Sequence, residues 1–352
     1  MHGIDAILLG AAGMGAGELL RYRSMHPHLR ISQLVSRSAA GRDPGDLHPH
    51  LLGSGLPQMQ VELVLPNSGP GDPLVLFSAM GHGELAAFYP QIRDELLAIG
   101  QQRRVLVIDL SADFRLESER EWEKYYGNPH PCPQFLDEFI YGLPECNREQ
   151  LTNAQRIASP GCFATAINLC LLPLAGRISG RHIAVCGMTG SSGSGNRPAE
   201  GTHHPFRAHD FRAYNMLRHR HAAEIGMLLE QHGNQEVRLS FVPHSAPLVR
   251  GIFATLILDC RDPAEAREFA ALYPVHYESE GFVHVMEGSP RLASVLGSNQ
   301  ARLCAVAEGC SLAVMCAIDN LGKGMAGQAI QAMNIALGLD ENCGLQAAPV
   351  YP

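Results

Sequence analysis

The sequence has no excess of positive charge, no long unbroken apolar run and no closely paired cysteines, and each absence removes a class of function. With 27 Lys and Arg against 35 Asp and Glu, a formal charge of -8, it lacks the net basic face that binding to a phosphate backbone needs. Nucleic acid is therefore not expected as its main partner. The opening MHGIDAILLG has no basic leader followed by a long apolar stretch, so it reads as a first strand and not as a signal peptide. The apolar stretch from Cys162 to Gly176 is interrupted by Thr165, Asn168 and Pro173 and is too short to span a bilayer. A soluble, cytoplasmic protein with no membrane partner is the expectation.

The ten cysteines are spread from Cys132 to Cys343 without a CxxC pair or a regular framework, which suits buried thiols better than disulfides. Cys304, Cys310 and Cys316, evenly separated within apolar segments, fit one face of a strand region. His203, His204, His209, His219 and His221 crowd one stretch, but there is no HExxH and no paired-cysteine spacing, so no metal site is expected. Internal repeats and low-complexity tracts are also missing.

What is present is an ordinary globular composition, 46% hydrophobic and 18% charged over 352 residues, enough for two domains. The first third alternates strand-like segments (Ala6 to Leu9, Ile31 to Ser36, Leu74 to Ser78, Val105 to Leu110) with helix-like ones such as Ala16 to Met25. That order predicts a parallel sheet with flanking helices. Glu117 to Gln134, with Trp122, Tyr125 and Tyr126, reads as a surface excursion holding a short helix. From Ser159 the character changes: Gly161 to Leu174 is helical in spacing, and Arg181 to Met188 and Val237 to Val242 read as strands. Between those strands lies a Gly/Ser/His/Arg-rich insertion, Thr189 to His221, of the length that usually carries function. Ala313 to Leu337 runs from a strand into a helix that returns to the first domain.

Leu8 to Gly17, LLGAAGMGAG, joins the first strand to the first helix. Glycines there let backbone approach a pyrophosphate, which the helix N-terminus then stabilises. Gly10, Gly13, Met14, Gly15 and Ala16 are accordingly expected to bind a dinucleotide. At the end of the second strand stands Ser36-Arg37-Ser38, where an acidic residue would favour NAD; an arginine and two hydroxyls suit the 2′-phosphate of NADP(H). The competing reading is a solvated loop arginine.

One cysteine differs from the other nine. Ser159-Pro160-Gly161-Cys162 places it just past a tight turn at the start of a helix, where the helix N-terminus favours the thiolate. A thiolate attacks an acyl phosphate readily, and the thioester so formed can accept a hydride.

Gly10-x-x-Gly13, Asp109-Leu-Ser-Ala-Asp-Phe-Arg115, Tyr141-Gly-Leu-Pro-Glu145, Ser159-Pro-Gly-Cys162, His219-Arg-His221-x-x-Glu224 and Ala317-Ile-Asp-Asn-Leu-Gly-Lys-Gly324 together resemble the N-acetyl-γ-glutamyl-phosphate reductase family, in order and nearly end to end. The resemblance implies an α/β fold: a Rossmann dinucleotide-binding domain over 1–160, completed by 320–352, and a catalytic and oligomerisation α/β domain of the semialdehyde-dehydrogenase type over 161–319. It also implies NADPH as hydride donor and a homodimer or homotetramer. Cys162 becomes the nucleophile, His221 the acid/base and His219 its neighbour. Arg115, Ser111, Arg220 and Glu224 become substrate ligands. Asn320, Lys323 and Gly324 close over the cofactor, and Ser191 and Ser192 sit near nicotinamide or substrate, flexible linker being the alternative for that loop.

Two segments depart from the acetyl-substrate pattern: Cys162-Phe163-Ala164-Thr165, and Gly190 to Asn196 with Gly201 to Arg207. These resemble the sister reductases that act on an aminoadipyl or glutamyl phosphate held by an acidic amino-group carrier protein. His203, His204, Arg207, His209 and Arg197 would then form a basic docking patch. The small acetylated acyl phosphate is preferred as substrate because it represents the broader family. A non-enzymatic NADP-binding regulator, the rival of another class, would need the glycine turn but not Cys162 beside His219 and His221.

Overall fold

A computed structural model describes residues 3–67, 69–234 and 236–351. The chain divides into two compact units. One runs to Pro160 and takes in Met325–Gln346; the other is Gly161–Gly324 with the segment from Ala347 onward.

The first unit is built on seven strands: β1 Ile4–Leu9, β2 Leu29–Val35, β3 Met59–Gln60, β4 Leu74–Ser78, β5 Val105–Asp109, β6 Ile140–Tyr141 and β7 Arg156–Ala158. All pair in parallel, in the order β3-β2-β1-β4-β5-β7-β6. Every residue of β4 (LVLFS) and β5 (VLVID) is buried, because helices cover both faces of a parallel sheet and leave no solvent side. Helix α1, Met14–Arg23, follows β1 directly, as a dinucleotide fold requires.

Glu117 to Gln134, expected on the surface, contributes to the interior. Its helix, Glu119–Tyr126, buries Trp122 to 2% exposure, with the indole stacked on Tyr126 at 4.0 Å and edge-on to His130 at 4.9 Å. The flanking Phe114, Cys132 and Phe139 join the same core as Tyr89.

In the second unit seven strands follow: β8 His182–Thr189, β9 Arg212–Ala213, β10 Arg238–Ser245, β11 Ile252–Asp259, β12 Val283–Val285, β13 Ala301–Glu308 and β14 Ser311–Ile318. They form a mixed sheet, β12-β13-β14-β11-β8-β10-β9. Three helices cover one face: α2 Cys162–Leu171, α3 His221–Gln231 and α4 Pro263–His276. Tyr273 and Tyr277 of the α4 region donate their hydroxyls to the carbonyls of Cys170 and Leu169 at 2.6 and 2.5 Å, fixing α4 to the C-terminal end of α2. The alternation buried, exposed along β8 and β11 marks the other face as open, with Ile257 48% and Val306 46% exposed.

Cys304 and Cys316 do not share a face. They lie on adjacent strands of a hairpin, opposite Met315 and Leu303 respectively, and strict alternation then points them to opposite sides of the sheet. Cys310 is exposed in the turn. All ten cysteines are thiols.

The returning segment is shorter than 320–352. Asp319 accepts from the Gly297 amide and pairs with Arg250 at 2.9 Å, and Val350 bonds to the Leu296 carbonyl, so both ends of that range belong to the second unit. Helix α5, Gly327–Ala336, is what rejoins the first unit, and all of its residues are buried. Asn334 holds it there: its side-chain oxygen meets His26 Nε2 at 3.0 Å, and its amide donates to the carbonyls of Glu341 and Cys343.

Asn334→Ala strips a partner from the buried His26 imidazole and from two partly buried carbonyls, and one orphaned buried group already costs about 1–3 kcal/mol. Chemical denaturation should show a loss of at least that size; an unchanged midpoint would mean the contacts around α5 are not what holds it.

Candidate active site

Cys162 is the first residue of α2, and Gly161, in extended conformation, is its N-cap. The Pro160-Gly161 pair stops the preceding strand, and the Gly161 carbonyl accepts the first helical bond from Thr165 at 2.8 Å. No acidic residue lies in the first turn of α2, so the helix dipole acts on the thiol unopposed from its own helix. Burial instead pushes other thiols up, Cys132 to about 12 and Cys146 beyond that.

The space around Cys162 is defined by backbone. A methyl group at Gly161 would lie 2.5 Å from His221 Nε2 and 2.8 Å from Glu224 Oε1; one at Gly324 would lie 2.7 Å from the Cys162 Cβ. His221 is the first residue of α3, and Glu224, one turn on and 1% exposed, accepts the Gly161 N–H at 2.8 Å through Oε2. Its Oε1 stands 4.0 Å from His221 Nε2. The cysteine helix and the histidine helix are thus joined at the residue before the thiol.

The two histidines have different surroundings. His219 Nδ1 accepts the His221 backbone N–H at 3.2 Å, and the rings meet edge-on at 4.7 Å. Phe163, Tyr214 and Phe241 enclose His219 at 5.4 to 5.8 Å between centroids. Burial, with the Arg220 charge second, pushes His219 down to about 4. His219 is therefore neutral at working pH and buttresses the segment that carries His221. Arg220 is half-buried between them in sequence. Tyr214 was not foreseen: its phenol is pushed up by burial and then by the neighbouring Cys162 charge. A single tyrosine in a loop without periodicity carries no sequence signal.

The Gly/Ser loop is not a linker. Ser191 and Ser192 donate their amides to the carbonyls of Leu248 and Val249 at 2.9 Å, and Ser192 Oγ accepts from the Asn320 side chain at 2.9 Å. Asn320, expected on the cofactor, is instead buried, with its oxygen taking the Gly251 N–H at 2.6 Å. Lys323, also expected there, is fully buried with its ammonium 5.9 Å from the Phe282 ring centre, which leaves it no surface for a nucleotide phosphate. Gly324 stands against Cys162.

Arg207 departs equally from the docking role. It is 9% exposed; its guanidinium bonds Ser245 Oγ and the carbonyls of Thr189, Ala246 and Leu248. A side chain so placed builds the loop and cannot meet a carrier protein. His203, His204 and His209 are exposed.

The dinucleotide cradle lies in the first unit. Gly10 has φ +73°, and a Cβ there would run into the backbone of Ala79 and Met80 at 2.6 to 2.7 Å, so the turn accepts only glycine. Gly13 is the N-cap of α1, with no side-chain cap and no acidic residue in the first turn, the arrangement that receives a phosphate. The lip is Ala12, Gly13 and Met14; Gly15 and Ala16 lie beneath it. Gly15 makes room for Met325, where a Cβ would fall 2.5 Å from the sulfur. Arg37 and Ser38 are exposed beyond β2, with buried Ser36 bonded to Ser38.

Ser111 and Arg115 change roles as well. Ser111 donates to Asp109 at 2.8 Å and accepts the Asp113 amide. Arg115, 6% exposed, donates to the carbonyls of Ser159 at 2.6 Å and Leu110 at 3.0 Å. These side chains shape the loop after β5. Burial, then the charge of Asp113, pushes the Asp109 carboxyl well up from its ordinary value.

Two family models match the chain: "Semialdehyde dehydrogenase, NAD binding domain" over residues 5–154 and "Semialdehyde dehydrogenase, dimerisation domain" over 162–320. Its fold is shared with aspartate semialdehyde dehydrogenase II from Vibrio cholerae, at TM-score 0.67 and 17% identity, covering 96% of this chain and 99% of that one. The class is that of the semialdehyde dehydrogenases. Within it, N-acetyl-γ-glutamyl-phosphate reductase of Pseudomonas fluorescens strain Pf0-1 is 40% identical over 98% of both chains, and that of Methanosphaera stadtmanae is 37% identical over 100% of both. The chain belongs to the N-acetyl-γ-glutamyl-phosphate reductase family. No group of residues that could hold a metal ion occurs among the described residues, and no described helix is long and apolar enough to cross a membrane.

With its ordinary value of 6.5 lowered to about 4, His219 should stay neutral as pH falls through 6. Its stability contribution is complete above pH 6.5 and is lost as pH drops toward 4. Nitrogen-15 NMR of labelled histidines checks this; a His219 signal titrating near pH 6.5 would return it to the list of acid/base groups.

Proposed function

We propose that this chain reduces N-acetyl-γ-glutamyl phosphate to N-acetylglutamate semialdehyde, a step of arginine biosynthesis, with NADPH and a thioester on Cys162. The observation that carries the reading is the placement of Cys162 at a helix N-terminus with His221 packed on its N-cap glycine.

The Cys162 sulfur attacks the acyl carbon, a carbon–sulfur bond forms, and the carbon–oxygen bond to phosphate breaks with release of phosphate. His221 takes the thiol proton and returns it as the aldehyde forms and the sulfur leaves as thiol. His219 keeps the His221 backbone in place, and Gly161 and Gly324 keep side chains away from the reacting carbon. NADPH, when bound, supplies the hydride that reduces the thioester. The residues of the first unit suit it: the Gly10 turn, the uncapped N-terminus of α1 and the exposed Arg37 offer a pyrophosphate seat and a cation for the 2′-phosphate. Relatives named for the acetylated substrate at about 40% identity over nearly the whole chain, together with the buried Arg207, support the small substrate over a carrier-bound one. The open face of the second sheet and the name of its family model support a homo-oligomer joined there, and ten thiols suit a reducing, cytoplasmic setting.

Cys162→Ser should lower turnover on the order of 10³-fold or more while NADP binding survives, because a hydroxyl is a far poorer nucleophile than a thiolate. Mass spectrometry of enzyme mixed with acyl phosphate and no NADPH should find the acyl group on Cys162 alone. Acylation at another cysteine, or retained turnover in the variant, rules the mechanism out.

Arg37→Ala should shrink a preference for NADPH over NADH by about 1.5–3 kcal/mol, roughly 10- to 100-fold in the ratio of kcat/KM values. Equal use of both cofactors by the unaltered enzyme would show that Arg37 is only a solvated loop residue.

A further inference from the structure

Glu224 sits where substrate binding was expected of it, yet it is 1% exposed and one of its oxygens is taken by the Gly161 amide. We propose that Glu224 is a positioning residue that sets the distance between thiol and imidazole by tying the Gly161 N–H at the head of α2 to the first turn of α3. The proposal rests on Cys162 as nucleophile and His221 as acid/base.

The argument is one of reach and direction. Glu224 is three residues after His221 on the same helix, so the two side chains leave neighbouring positions on one face. Gly161 directly precedes Cys162 and has room for neither a methyl group nor a shift toward α3, since His221 Nε2, His221 Cε1 and Glu224 Oε1 all lie within 2.5 to 2.8 Å of where its Cβ would be. The 2.8 Å bond to Oε2 therefore fixes the peptide at the head of α2 against the first turn of α3. At 4.0 Å, Oε1 is too far from His221 Nε2 for a hydrogen bond. The bond to Gly161 is a directional contact across the two helices, and the imidazole stands against the peptide so held. A negative charge so close to a thiolate does not help to form it. What the site gains is an acceptor at the length of a glutamate side chain.

Three variants separate reach from charge. Glu224→Gln keeps an oxygen acceptor at the same length without charge; Glu224→Asp keeps the charge but is one methylene short; Glu224→Ala keeps neither. Displacing a reacting group by about 1 Å can cost on the order of 100-fold in rate, so kcat should fall by about 100-fold in the Asp and Ala variants. In the Gln variant it should stay within about tenfold of the unaltered enzyme, with KM for the acyl phosphate within about threefold in all three. Should Glu224→Ala not fold, the Gln and Asp variants decide alone. The proposal is overturned if Asp matches the unaltered enzyme while Gln is as poor as Ala, which would make charge the requirement. It is equally overturned if KM rises about tenfold at unchanged kcat, the mark of a substrate ligand, or if Ala leaves both constants unchanged. Cys162→Ser run in parallel distinguishes the two levels: an active Cys162→Ser enzyme removes the nucleophile reading itself, whereas an inactive one beside a fully active Glu224→Ala enzyme removes only the role of Glu224.

Discussion

The close approach of backbone to Cys162 and its N-cap is the constraint from which the second unit is organised. Gly161 and Gly324 both lie against Cys162 or its N-cap, at distances where any side chain would collide. Glycine at these two positions lets His221 and Glu224 come up to the N-cap and lets the 324 backbone come up to the Cys162 Cβ. Keeping them there takes bonds elsewhere. Gly324 donates its amide to the Asp319 carbonyl at 2.9 Å, and the Asp319 carboxylate accepts from the amides of Leu321, Gly322 and Gly297. Within the same stretch Gly322–Ala326 winds as a π-helix, a form frequent at functional sites. Asn320 adds the bonds to Ser192 and Gly251, so the wall on one side of Cys162 and the loop that follows β8 are held by one short run of residues.

In the first unit the corresponding work falls to buried polar side chains. Asp109, Asp113 and Arg115 are each nearly inaccessible, and burying charges is unfavourable unless they are bonded. Asp113 takes the amides of Gly83 and Ala86 at the N-terminus of the helix Glu84–Gly100, where a carboxylate is favoured. Arg115 satisfies two carbonyls that no strand or helix could reach. This cluster makes the loop after β5 rigid without regular structure.

Much of this was legible from residues in order. The strands β1, β4 and β5 are short unbroken apolar runs, and burial on both faces of a parallel sheet leaves that trace. Gly10 and Gly13, Cys162 after Pro160-Gly161, and His221 behind His219 were readable because each needs a particular residue type at a fixed offset from a strand or helix end. Four residues whose structural bonds the sequence did not announce share a cause. Arg115, Arg207, Lys323 and Asn320 are polar groups beside the motifs and were read as ligand contacts; three of them spend their hydrogen bonds on backbone carbonyls, an amide or a serine of irregular loops, and Lys323 is packed inside the second unit over an aromatic ring. An unpaired loop carbonyl needs a donor as much as a phosphate does, but it leaves no mark in the sequence. Nor could the two-residue strands β3 and β6 be seen: pairing with β2 and β7 defines them, not their composition. Trp122 looked solvent-facing because charged residues surround it, yet the indole is the part of that helix that packs inward.

The route of the chain also bears on how the protein is made. Helix α5 belongs to the first unit, yet it is translated only after the entire stretch Gly161–Gly324. Domains generally fold as they emerge, at about 5–20 residues per second, so the nascent dinucleotide-binding unit waits roughly 10–30 s for its last helix. During that interval His26 lacks Asn334 and the carbonyls of Glu341 and Cys343 do not yet exist. The second unit, whose sheet and covering helices are nearly all contained in one continuous stretch, can close first, and the first unit is completed by a segment that arrives from the far side of its neighbour's sequence.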